Sequence, residues 1–137
     1  MAKFSPPTTW TELVALKEIV KNEPLHKDRL PLSGFLYDVY RRYVPRKLQL
    51  AGILKEIGDQ PYKLTPNKFP YDLLLKNLSN VRQYCLWSLS GSLTADQIEK
   101  IINTDFPGLQ YFWLENHLKY KSIPEIWHCH VFIDHQV

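Results

Sequence analysis

The chain has 137 residues, 45% of them hydrophobic and 23% charged, with a formal net charge of +3. That length suits one domain with a core of its own, so no disulfide or metal staple is needed. The mild, dispersed positive charge argues against a nucleic-acid footprint, and no window approaches the ~20 apolar residues of a membrane-spanning helix.

The opening MAKFSPPTTW lacks the apolar core of a signal peptide, so an intracellular protein, cytoplasmic or nuclear, is expected. Thr9 and Glu12 match a capping box, and Trp10, Leu13, Leu16 and Val20 recur at helical spacing. This predicts an amphipathic helix from Thr9 to Lys21, closed by Pro24. Phe35 to Tyr43 reads as a second helix, with Phe35, Val39 and Tyr43 on one stripe and Leu36 and Tyr40 beside it. Pro45 interrupts it. A third helix starts near Lys47, with Leu50, Ile53, Leu54 and Ile57 as its apolar face and Gly58 as its C-terminal stop. The run YRRYVPRK, Tyr40 to Lys47, mixes aromatic and basic residues as a single-strand binder can, but it reads as the solvated side of a helix.

Prolines at 61, 66 and 70 rule out a regular helix or a central strand in DQPYKLTPNKFPYDL, Asp59 to Leu73. Tyr62, Leu64, Phe69 and Tyr71 nevertheless anchor this segment, which divides a helical half from an α/β half. Tyr84 to Leu89 is rich in strand formers and predicts a strand. Ala95 to about Asn103 predicts a helix with a capping box at Thr94 and Gln97 and a staple from Leu93 to Ile98. Gln110 to Glu115 and Ile126 to Ile133 supply two more strands. The expectation is a single α+β domain over residues 1–137. In it, a helical half, about residues 8–58, packs on a small, mainly antiparallel sheet with one inserted helix, about residues 65–137. Cys85 and Cys129 lie in apolar runs and read as small buried side chains rather than a disulfide framework.

Alternation along the last strand sends Trp127, Cys129, Val131 and Ile133 to one face and Ile126, His128, His130 and Phe132 to the other. The two imidazoles then project in parallel, roughly 6.6 Å apart at ~3.3 Å per residue. They can serve in four ways. A metal site needs three or four ligands, and neither His117, Glu115, Asp134 nor His135 stands at a diagnostic spacing, so no metal is assigned. Catalysis needs an imidazole whose far nitrogen is held by a neighbour, which makes His128 and His130 the candidate catalytic residues. A satisfied, half-exposed structural pair is the plain alternative, and contact with a ligand is the fourth.

The HCHVF segment is similar to the end of the signature of histidine-triad nucleotide hydrolases and transferases. The resemblance implies His128 as a nucleophile that attacks phosphorus and His130 as the last histidine, while the first histidine of that signature falls on Ile126. A longer resemblance is carried by TPNKFPYDL with QYCLWSL, then YFWLENHL, then KSIPEIWHCHVFI. These blocks, across residues 65 to 133, resemble the fungal N-acetylglucosamine-induced proteins, a domain of unknown function. The chain departs from that pattern at Gln83, where a histidine is usual, and at His117, where a proline is usual. The resemblance implies a fungal, intracellular protein linked to amino-sugar response and implies no reaction.

The polar and aromatic residues of the C-terminal half are candidates for one ligand pocket: Asn67, Tyr71, Trp87, Asn116 and Ser122 beside the two histidines. Each also has a structural role to play, in turns, caps or core. The expected ligand is a sugar phosphate or nucleotide, no cofactor is called for, and a protein partner held by the aromatics of Phe35 to Tyr43 is the non-ligand alternative.

Overall fold

The computed structural model describes residues 6–17, 29–116 and 123–135. The elements run α1 (Trp10–Ala15), α2 (Pro31–Tyr43), α3 (Arg46–Ile57), β1 (Tyr62–Pro66), β2 (Val81–Ser88), α4 (Ala95–Asp105), β3 (Gln110–Leu114) and β4 (Trp127–Asp134). The expected α+β architecture is present. Its sheet is antiparallel at every pairing, in the order β1-β2-β4-β3. Because β2 and β3 flank β4 and both run antiparallel to it, they are parallel to each other, and α4 spans the crossover between them.

The short apolar runs of β2 and β4 take the two inner positions, and both faces of the sheet are covered. On one face, Ile98, Ile101 and Ile102 of α4 pack against Tyr84, Leu86, Cys129, Val131 and Ile133. The capping box that starts α4 is complete: Thr94 Oγ1 accepts from the Gln97 N–H, and the Gln97 side chain accepts from the Thr94 N–H at 2.8 Å. On the opposite face two clusters meet end to end. Leu13 of α1 and Tyr71 and Leu74 cover Val81, Phe112 and Phe132. Ile53 and Ile57 of α3 cover Cys85 and Trp87, together with Ile123 and Ile126. The half exposure that the structural alternative gave the histidine face is therefore corrected, since His128 and His130 lie on this second face and are buried. Strands enclosed on both sides lose the polar alternation of a solvated sheet.

Several boundaries differ from expectation. Residues 62–66 form an edge strand that the prolines disguise; Pro61 and Pro66 stand at its two ends, where a lost N–H costs no inner ladder bond. α2 begins four residues earlier than expected, because Pro31 occupies the first helical position. In α1, Thr9 Oγ1 accepts from the Glu12 N–H as expected, but the Glu12 carboxylate takes the Thr8 N–H at 2.7 Å and the Thr8 hydroxyl instead of closing the box on Thr9. The helix caps at Leu16; the expected extension to Lys21 lies in part outside the described residues.

The faces of α2 and α3 also differ. Phe35, Leu36 and Tyr43 point to solvent with Leu32, whereas Tyr37 and Tyr40 turn inward, their rings 5.2 and 5.0 Å from that of Phe69. On α3, Leu54 is exposed and Gln49 is 4% exposed. The Gln49 side-chain nitrogen donates to the Val44 carbonyl at 2.8 Å and lies 3.4 Å from the carbonyls of Tyr40 and Arg41. One buried amide thus caps the open C-terminus of the preceding helix. Gly58, with φ +68°, ends α3 as expected. No helix among the described residues is long and apolar enough to cross a membrane.

Candidate functional site

Pairing aligns the histidine face across the sheet. His128 stands opposite Trp87, His130 opposite Cys85 on one side and Leu114 on the other, and Thr65 of β1 opposite Cys85. Side chains on one face of adjacent strands thereby form a row: Thr65, Cys85 and Trp87, His128 and His130. Against this row lie α2 and α3, and between them is a cavity of about 100 Å³ lined also by Asn67.

The two imidazoles leave the same side of β4, but their planes are nearly perpendicular, with centroids 5.8 Å apart, so they do not project in parallel as expected. Their partners explain the difference. The Gln83 side-chain oxygen accepts from the Tyr71 N–H at 2.7 Å, which fixes the orientation of the amide. Its nitrogen therefore faces His130 Nδ1 at 3.1 Å as a donor. His130 Nδ1 must accept, so the proton of the neutral ring sits on Nε2 and points to Tyr71 Oη at 3.1 Å. A proton on Nδ1 would set two donors against each other. His130 is held as a fixed, neutral link between β2 and the 71–78 segment.

His128 has the opposite arrangement. Its Nδ1 lies 3.0 Å from the Ile126 carbonyl, which only a ring N–H can satisfy, so Nε2 is the acceptor nitrogen of the neutral ring. The ring rests on Trp87 at 4.5 Å between centroids, and the Trp87 indole N–H donates to Thr65 Oγ1 at 3.2 Å. Indole and hydroxyl thus hold the imidazole in place. Ile126, which takes the place of the first histidine in the triad signature, packs with Ile53 and Ile57 in the core. An apolar side chain there belongs to α3 packing.

Cys85 lies within 4.0 Å of His130 Nδ1, and burial pushes its thiol up to about 12. It is a protonated thiol at neutral pH. Cys129 lies on the other face of the adjacent strand, and neither cysteine forms a disulfide. No group of three or more His, Cys, Asp or Glu side chains among the described residues is arranged to hold a metal.

Of the residues expected at the site, the fold brings together Asn67, Trp87, His128 and His130. Asn67 Oδ1 accepts from the Phe69 N–H at 2.9 Å, an Asx turn that turns the chain under α2. Tyr71 is fully buried behind His130 and supports it without lining the cavity. Asn116 is buried beyond β3 and does not line the cavity either. Ser122 and His117 lie outside the described residues. Sequence reasoning missed Gln83, although alternation puts it on the same face as Cys85 and Trp87, where a polar side chain requires a partner. It also missed Gln49, Glu56, Arg41 and Lys68, which reach the cavity from other elements and carry no local signal. No family model, curated protein or solved structure matches the chain.

Proposed function

We propose that the protein binds a small polar ligand against His128, with a sugar phosphate favoured over a nucleotide. The reading rests on one observation: Thr65, Asn67, Trp87 and His128, from three strands and a turn, share a cavity floor whose roof is two helices. Aromatic walls with a few fixed polar groups suit a small ligand. His128 Nε2 can accept a hydroxyl proton, and the Asn67 amide nitrogen can donate, since only its oxygen serves the turn. The cavity volume of about 100 Å³ is below the ~300 Å³ at which pockets take drug-sized molecules, which favours a small head group seated on this floor. The resemblance of residues 65 to 133 to the fungal N-acetylglucosamine-induced proteins adds, as part of the same proposal, a cytoplasmic or nuclear setting and an amino-sugar response.

Thermal shift against a panel of sugar phosphates and nucleotides tests the reading. A ligand at 100 times its Kd stabilises the native state by about 2.7 kcal/mol. The expected result is a shift with a sugar phosphate that His128→Ala abolishes. Silence across the panel, or a shift that survives His128→Ala, ends it.

A second reading is favoured by the Nδ1 contact to the Ile126 carbonyl, which selects the tautomer whose basic nitrogen is Nε2, the form that attack on phosphorus requires. It makes the protein a histidine-triad-like hydrolase or transferase with His128 as nucleophile. Turnover of dinucleotide polyphosphates or nucleoside phosphoramidates that disappears in His128→Ala supports it; equal turnover in both proteins removes it.

A further inference from the structure

Among the described residues, the charged side chains that line the cavity are three cations, Arg29, Arg41 and Lys68, and one carboxylate, Glu56. These cations are not equivalent. Arg29 is committed to the fold: its Nε donates to the Phe69 carbonyl at 2.9 Å, and its guanidinium lies 4.0 Å from the ring centre of Tyr37 and 5.1 Å from that of Tyr71. Lys68 pairs with Glu56 at 3.2 Å, with side chains 61% and 30% exposed. Arg41 makes no ion pair among the described residues, and its guanidinium rests 5.5 Å from the ring centre of Tyr37.

An exposed cation–π contact is weaker than a charge-assisted hydrogen bond to an anion, and so is a Lys–Glu pair whose lysine stands in solvent. Both cations can therefore be recruited without loss of fold. Arg29 aside, the described lining sets two cations, Arg41 and Lys68, against one carboxylate, an excess of positive charge beside a ring nitrogen and an amide that suit hydroxyl groups. A neutral sugar would leave that excess unused. A phosphate monoester would match it.

We infer that Arg41 and Lys68 bind the anionic group of the ligand, and that Glu56 sets selectivity by competing with that group for Lys68. This deepens the pocket reading above and rests on it. Glu56 acts as an internal substitute for the anion: it keeps Lys68 near the cavity when no ligand is there and weakens every anion that displaces it. Removing its charge should tighten anion binding, a gain of function that damage to the fold would not produce.

The test is calorimetric titration of wild type, Glu56→Gln, Arg41→Ala and His128→Ala with inorganic phosphate, glucose 6-phosphate and glucose. Glu56→Gln is expected to tighten both phosphates by roughly threefold to tenfold, and Arg41→Ala to weaken them about tenfold, the size of one charge-assisted hydrogen bond. Glucose should bind more weakly than its phosphate and ignore both substitutions. Equal affinities for the phosphates in wild type, Glu56→Gln and Arg41→Ala overturn the inference, as does glucose binding as tightly as its phosphate; in either case the pocket reading stands if His128→Ala removes binding. Phosphate binding that responds to Arg41→Ala but ignores His128→Ala puts the anion outside the cavity and overturns both. Absence of binding by either phosphate overturns the inference, and the pocket reading then depends on the glucose titration.

Discussion

Gln83→Met is the substitution that tests the histidine face most sharply. It keeps side-chain length and apolar bulk while removing both ends of the amide. The Tyr71 N–H loses its 2.7 Å acceptor and His130 Nδ1 its 3.1 Å donor. A buried polar group deprived of its partner costs about 1–3 kcal/mol, so two such groups give a loss of about 2–6 kcal/mol. For a domain of this size that corresponds to a fall in Tm of roughly 8–20 °C. Equilibrium urea unfolding followed by circular dichroism gives the free energy, and the slope of the transition checks that the denatured state is unchanged. Tyr71→Phe, which removes only the hydroxyl facing His130 Nε2, should cost about 1 kcal/mol. Because the two changes act through one ring, their costs should fail to add by at least ~0.5 kcal/mol. A Gln83→Met loss under about 1 kcal/mol, or strict additivity, would refute the amide–imidazole–phenol chain.

Three further outcomes follow from the same geometry. In the native state neither Cys85 nor Cys129 should react with a thiol reagent at pH 8, because burial holds Cys85 protonated, pushed up to about 12; rapid labelling without denaturant would contradict this. Thr94→Ala removes the oxygen that holds the Gln97 N–H and should destabilise the protein by about 1 kcal/mol in urea, with Thr94→Ser recovering most of it. The Thr8 N–H and hydroxyl hold the Glu12 carboxyl below the usual carboxylate range, so its stabilising effect is present above the unfolded value of ~4.3 and lost as pH falls through the lower native value. The Tm difference between wild type and Glu12→Gln should accordingly exist at pH 7 and shrink at pH 3; a constant difference would point to lost helix propensity instead.

The legible parts of this molecule are those whose causes are local. Thr94 and Gln97 announce a helix start because both partners of the capping box lie within one turn, and Gly58 marks a stop because its φ of +68° suits glycine. Alternation was enough to put His128 and His130 on one side of β4. It could not show that both sides are covered, since that depends on α3 and α4 arriving from distant parts of the chain. Thr9 and Glu12 show the limit even of local patterns: the same residues serve a box or an interaction with Thr8, and the geometry chose Thr8. β1 was missed because prolines are read as breakers, yet an edge strand can carry them at its ends.

The cavity was legible only in part for a similar reason. Trp87 and the histidines share one face of paired strands, and strand periodicity reveals that. Arg41, Gln49, Glu56 and Lys68 approach from two helices and a turn, and their meeting is a property of tertiary packing. The apolar stripe of α2 illustrates the converse. Phe35, Leu36 and Tyr43 have the spacing of a buried face, but Tyr37 and Tyr40 turn inward onto Phe69. Periodicity identifies a stripe without saying which side of the helix the rest of the protein will meet.

Nuclear magnetic resonance of the ring nitrogens and indole N–H groups during titration with glucose 6-phosphate addresses the site most directly. Saturable shifts should appear at His128 Nε2 and at the Trp87 indole, which share the cavity floor, while His130 keeps its proton on Nε2 throughout. Saturation with neither His128 nor Trp87 perturbed, or a His130 ring whose proton resides on Nδ1, would contradict a ligand site built on this pair.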